Sequence, residues 1–242
     1  MECARLNRYG LLAVTGADAR DFLHAQLTND IKNLPGDRAS LAGWCSAKGR
    51  LLATFLVIPA PDGFLLQLSR DLAAPVAKRL SMFVLRSKVK IADESAEWAQ
   101  YGIWDGDAAA SDVLWDEGHV TVRIDSHRVL KAGKGLSLQE TRSEGDWALD
   151  EIRAGRPLIT AATQDQFVPQ MVNLETLGGV NFQKGCYPGQ EIVARAQYRG
   201  QVKRRMVKLP APAGADLKPG QEFNGGVVVD AAGGELLAVM PL

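Results

Sequence analysis

The chain has 242 residues, of which 46% are hydrophobic and 23% charged, an ordinary composition for a folded domain and far from disordered or collagen-like extremes. Twenty-eight basic and twenty-eight acidic residues cancel to a formal charge of zero, so no global field draws the protein to nucleic acid or anionic lipid. The three cysteines, Cys3, Cys45 and Cys186, form no CxxC pair and have no histidine at ligand spacing, which argues against a disulfide framework and a structural zinc site; no metal site is expected. The N-terminus "MECARLNRYG" carries charges and no signal-peptide core. No stretch approaches the roughly 18 apolar residues of a membrane span. A cytoplasmic protein with reduced thiols and no membrane partner is expected.

In chain order, "GLLAVTGADARDFLHAQLTNDI" predicts a strand that turns into a helix, with Thr15 and Asp18 spaced as a capping-box-like start. "SLAGWC", "RLLATFLVIP" and "GFLLQLS" read as strands, and the Pro59 to Gly63 turn makes the last two a hairpin. Asp71 is expected to cap a helix running to about Val84, with Pro75 tolerated because it lies near the start. "SKVKIAD", "EWAQYGIW", "HVTVRID" and "HRVLKA" read as further strands, and "GDAAASDVL" between them as a short helix. "DWALDEIRAG" predicts a helix ending at Gly155, and Pro188, Gln190 and Glu191 open another that runs through Ala196. Beyond Gly200, short β runs broken by "PAPAG", "KPG" and "NGG" predict a small terminal β domain. Hairpins mixed with helices favour an α+β architecture over a doubly wound parallel sheet. The expected domains are 1–196, an α/β module of two subdomains, and 197–242.

Chemistry concentrates in "NFQKGCYPGQEIVARAQYRGQVKRR". Cys186 lies just ahead of a helix start and two residues from Lys184, both of which bias a thiol toward thiolate. The open alternative is a small apolar filler in a tight loop. Arg195, Arg199, Lys203, Arg204, Arg205 and Lys208 suit phosphates or a polyanionic small molecule such as polyglutamyl folate, or else form a solvated strand face. "GWCSAKGR" places Cys45, Lys48 and Arg50 in a turn able to approach an anion. Trp147 reads from pattern alone as a core residue.

Taken together, "LAVTGADARDFLHAQLTNDI", "CSAKGRLLATFLV", "IRAGRPLI", "FVPQMVNLETLGGVNFQKGCYPGQEIVARAQYRG" and "KRR" resemble the YgfZ family, folate-binding relatives of the glycine-cleavage T-protein. The most specific part is "KGCYPGQE", Lys184 to Glu191. The resemblance implies a T-protein-like folate-binding fold with a small C-terminal β-barrel, and tetrahydrofolate or a derivative as cofactor. It further implies a role in iron-sulfur cluster assembly or repair, with assembly factors or client proteins as partners, and through it in tRNA modification. It places the working thiol at Cys186, assisted by Lys184, and folate-contacting aromatics at Tyr9 and Trp147. Gln190, Glu191 and Arg199 are added as candidate cofactor contacts.

Two departures from T-proteins are visible. Lys48 to Pro61 contains no acid where they place a catalytic aspartate, so aminomethyl transfer is not expected. Arg153 stands where they carry a pterin-binding glutamate. A folate-dependent one-carbon transferase, with Asp30 or Glu191 supplying the carboxylate, and an RNA-binding accessory module are the alternative functions.

Overall fold

The computed structural model describes residues 2–105, 112–200 and 202–242. The proposed helix at 106–114 falls largely outside them; its last two residues, Val113 and Leu114, belong to a strand.

The chain opens with β1 (Glu2–Arg5) and β2 (Tyr9–Thr15), then α1 (Ala19–Gln26) and the strands β3 (Ser40–Cys45), β4 (Leu51–Ala60) and β5 (Gly63–Ser69). Helix α2 (Arg70–Ser81) precedes β6 (Lys90–Asp93), β7 (Trp98–Trp104), β8 (Val113–Asp116), β9 (His119–Arg123) and β10 (Arg128–Lys134). Helices α3 (Glu144–Arg153) and α4 (Gln190–Tyr198) flank a 3-10 turn at Pro169–Val172. The strands β11 (Arg204–Pro210), β12 (Glu222–Phe223), β13 (Gly226–Ala232) and β14 (Glu235–Pro241) end the chain.

Among the described residues the strands form three sheets, in the orders β1-β7-β10-β9-β8, β3-β4-β5-β2-β6 and β11-β14-β13-β12. The hairpin predicted at Pro59 to Gly63 is present, with Ala60 opposite Gly63 in an antiparallel pair. The architecture is α+β, built from antiparallel pairings such as β2 with β5 and β10 with β7.

One expectation needs correction. The cap of α2 is Ser69, whose hydroxyl donates to the Asp71 carboxylate, so Asp71 sits inside the first turn and the helix stops at Ser81. Residues of both faces of β4 are buried.

Contacts divide the chain into two compact units. The first comprises 1–23, 31–40 and 56–147, and the second 24–30, 41–55 and 148–242. In the first, Cys3, Tyr101, Ile103 and Val129 form a buried cluster against Ala99, Leu136 and Leu138. Leu72, Ala73, Val76 and Leu80 line the buried face of α2, and a Cβ on Gly10 would come within 2.7 Å of Ala73, so the β2 backbone lies close under that helix. In the second, Leu27 bridges Trp44, and Thr28 continues that pairing through its N–H to the Gly43 carbonyl at 2.9 Å.

Among the described residues, no helix is long and apolar enough to cross a membrane, and no group of three or more His, Cys, Asp or Glu side chains is placed to hold a metal ion.

Candidate functional site

The loop carrying Cys186 is anchored at its start by Asn181. Its backbone N–H donates to the Thr28 carbonyl at 2.9 Å, and its side-chain oxygen accepts the N–H groups of Gln183 at 2.8 Å and Lys184 at 3.1 Å. An Asx turn of this kind bends the chain without needing regular structure. Thr28 itself is fully buried and ties three segments, its hydroxyl donating to Gly179 at 2.6 Å and accepting from the Gly43 N–H at 2.8 Å.

Lys184 is buried, and its ammonium donates to the carbonyls of His24 and, at 2.7 Å, Leu27, at the C-terminal end of α1. Unpaired carbonyls and the negative end of the helix dipole favour a cation there. Its Nζ also lies 5.0 Å from the Tyr187 ring centroid. Burial pulls the ammonium down to about 8, against the opposing charges of Asp30 and Cys186. Lys184 therefore acts as an internal strut that ties the loop to the end of α1.

Gly189 closes the loop in a left-handed conformation, φ +78°, and a Cβ there would stand 2.4 Å from the Ser46 carbonyl and 2.6 Å from the Gly49 Cα. Only a residue without a side chain fits where the Pro-Gly backbone abuts the Ser46–Arg50 turn. Cys186 is left exposed between these two anchors, whereas Cys3 and Cys45 are buried. Burial pushes the Cys45 thiol up to about 12, with the charge of Asp165 adding to it, and burial likewise raises the Tyr187 phenol.

The remaining candidates on this unit are less constrained. Gln190 approaches the Lys184 carbonyl only to 3.5 Å, Glu191 is exposed in the first turn of α4, and Arg199 is exposed just past its end. The basic stretch splits in two. Arg204 donates to the Gly225 carbonyl at 3.0 Å, Arg205 pairs with Glu175 at 2.8 Å, and Lys208 donates to the Arg153 carbonyl at 2.9 Å. Arg195, Arg199 and Lys203 remain exposed.

Tyr9 and Trp147 belong to the other unit. Trp147 is 3% exposed. Its ring meets Trp104 edge-to-face at 5.4 Å, lies under the Arg128 guanidinium at 4.8 Å, and occupies the space a Cβ on Gly102 would take. Tyr9 is buried at the start of β2, and its carbonyl accepts from Gln100 at 3.2 Å.

No protein-family model matches the chain. The tRNA-modifying protein YgfZ of Escherichia coli O157:H7 is 32% identical over 244 residues, covering 90% of this chain and 74% of that protein. The chain belongs to the YgfZ family. The tRNA-modifying protein YgfZ of Shigella sonnei is 31% identical with the same coverage. Among solved structures, the glycine cleavage system aminomethyltransferase T of Bartonella henselae superposes with a TM-score of 0.71 over 99% of this chain and 78% of that one, at 15% identity. The fold is therefore T-protein-like, as the sequence resemblance implied.

In this member of the YgfZ family, Arg153 bonds Glu235 at 2.8 Å on the C-terminal sheet, and Glu151 bonds Arg156 at 3.1 Å. Sequence reading missed Asp165. It adopts a left-handed conformation, φ +58°, accepts from the Ser46 hydroxyl at 2.8 Å, and offers its carbonyl to Arg50 at 3.3 Å. The fold thus brings a carboxylate to the turn whose following strand carries none. The one signal available was a lone acid in a loop of Thr and Gln.

Proposed function

We propose that this chain binds a reduced folate and supports the assembly or repair of iron-sulfur proteins, and through them tRNA modification, with Cys186 as the working thiol. The observation that carries the reading is the display of Cys186: an exposed cysteine on a loop pinned at Asn181, Lys184 and Gly189, in a chain whose other thiols are buried. The names of the YgfZ relatives as tRNA-modifying proteins and the T-protein-like fold support the same reading.

A single thiolate cannot hold a cluster, since clusters want about four ligands. It can share a cluster with a partner's ligands or take part in thiol exchange, and both require a cysteine that a partner can reach. The loop provides that access while holding the backbone still.

Toward a folate, the residues divide into two kinds. Trp147, in the first unit, is enclosed by Trp104, Arg128 and the Gly102 backbone and offers no open stacking face. Gln190, Glu191 and Arg199 supply polar groups on or beside α4, and Arg199 is suited to the carboxylates of a glutamyl tail. Direct RNA binding is the weaker reading, because Arg204, Arg205 and Lys208 are engaged within the chain.

The test is complementation of a deletion strain with Cys186→Ala, read as iron-sulfur enzyme activity, alongside tetrahydrofolate titration of the purified variant. The expected outcome is lost complementation with folate binding retained. Full restoration of the enzyme activities by the alanine chain would remove the cysteine from the function.

A further inference from the structure

A second feature lies in the first unit, away from the cysteine loop. Trp98 on β7 and Trp115 on β8 pack edge-to-face with centroids 6.2 Å apart, beside a groove of about 510 Å³ that also receives Pro61, Phe64 and Leu65. The Trp115 indole N–H is fixed on the Pro59 carbonyl at 2.9 Å, so this ring is held in place. Both tryptophans are only partly covered, and an edge-to-face pair leaves ring face open.

The charge around the groove is one-sided. Asp62, Asp116 and Glu117 stand exposed at its rim and form no ion pair among the described residues. Lys134, which lines the groove, is held by Glu94 at 2.8 Å and Glu97 at 2.6 Å, so two carboxylates already use it, and Arg20, over the Phe64 ring at 4.9 Å, is turned to the Ile31 and Leu34 carbonyls. Asp116 ends β8 and Glu117 follows it in the tight turn to β9, where Glu117 has φ +47° and Gly118 φ +79°, which fixes where the acids project.

An aromatic floor with an unbalanced acidic rim is complementary to a flat, delocalised cation. A guanidinium stacks on indole and accepts paired carboxylates, which an ammonium does less well. One guanidinium fills a small part of such a volume, and the exposed Pro61 beside the tryptophans is left for an apolar neighbour of the cation. We infer that this groove is a docking site for an arginine-bearing segment of a partner polypeptide, with the guanidinium over the Trp98–Trp115 pair and between the rim acids.

The test uses the full chain labelled with 5-fluorotryptophan, whose five resonances are assigned by single Trp→Phe variants. The probe is a capped Gly-Arg-Leu-Arg-Gly peptide, compared with its citrulline counterpart and with free argininamide. The expected result is saturable shifts of Trp98 and Trp115 with the arginine peptide, weakened about tenfold by citrulline, by argininamide, and by Asp116→Asn with Glu117→Gln. Equal binding of the citrulline peptide overturns the cation, and equal binding of argininamide overturns the polypeptide. Absence of shifts at Trp98 and Trp115 overturns the site.

Discussion

Trp147 and Cys186 both stand out in the sequence, and the fold handles them in opposite ways. Trp147 is sealed into the first unit because Gly102 has no Cβ to displace it, while Cys186 is displayed by the second because Gly189 lets its loop press against the Ser46–Arg50 turn. In each case a glycine decides the outcome: Gly102 stands far from Trp147 in sequence, and Gly189 works only through a turn supplied by β3 and β4. A side chain's chemical promise therefore says little about its exposure, which is set by what the backbone can approach.

The largest expected effect lies on the sealed side. Trp147→Ala should cost about 3–5 kcal/mol in urea unfolding, the usual range for emptying a large core site. A loss below about 1 kcal/mol would mean the ring is peripheral, and the contrast with Cys186 would collapse.

Lys184, the strut beneath the displayed thiol, gives an intermediate effect that depends on pH. Its folded value of about 8 is below the ordinary 10.5, so between those values the unfolded chain binds more protons and stability rises with pH. The cost of burying the ammonium is fully present below about 8 and gone above about 10.5. Unfolding free energies of the natural chain and Lys184→Met, compared across that window, should diverge in favour of the natural chain by up to about 3 kcal/mol. A constant difference would show that the ammonium is well solvated.

The smallest effect on stability belongs to the displayed residue. Cys186→Ser should change unfolding by no more than about 0.5 kcal/mol. In the folded protein a thiol reagent should modify Cys186 alone, with Cys3 and Cys45 reacting only after denaturation. Comparable rates for Cys45 would remove the distinction on which the proposed role rests.

Much of the fold was legible beforehand. The β4–β5 hairpin, α2, α3 and α4 emerge from periodicity and turn residues, because those signals act within a few positions of one another. The short strand β1 was missed and the start of β8 was read as the end of a helix, since four residues carry too little pattern to declare a strand. In the candidate site, the cysteine and its glycines were visible as a motif. The burial of Lys184 beneath α1, the withdrawal of Arg204, Arg205 and Lys208, and the arrival of Asp165 at the Ser46–Arg50 turn were not, because their partners lie on other segments.

By itself the sequence determined the fold class, the family resemblance and the residue types available for chemistry, all of which rest on local order and spacing. Tertiary structure alone decided which cation is buried, which thiol is reachable and which tryptophan pair is left beside an acidic rim. Those outcomes depend on desolvation and steric fit between segments distant in the chain, and no local pattern encodes them.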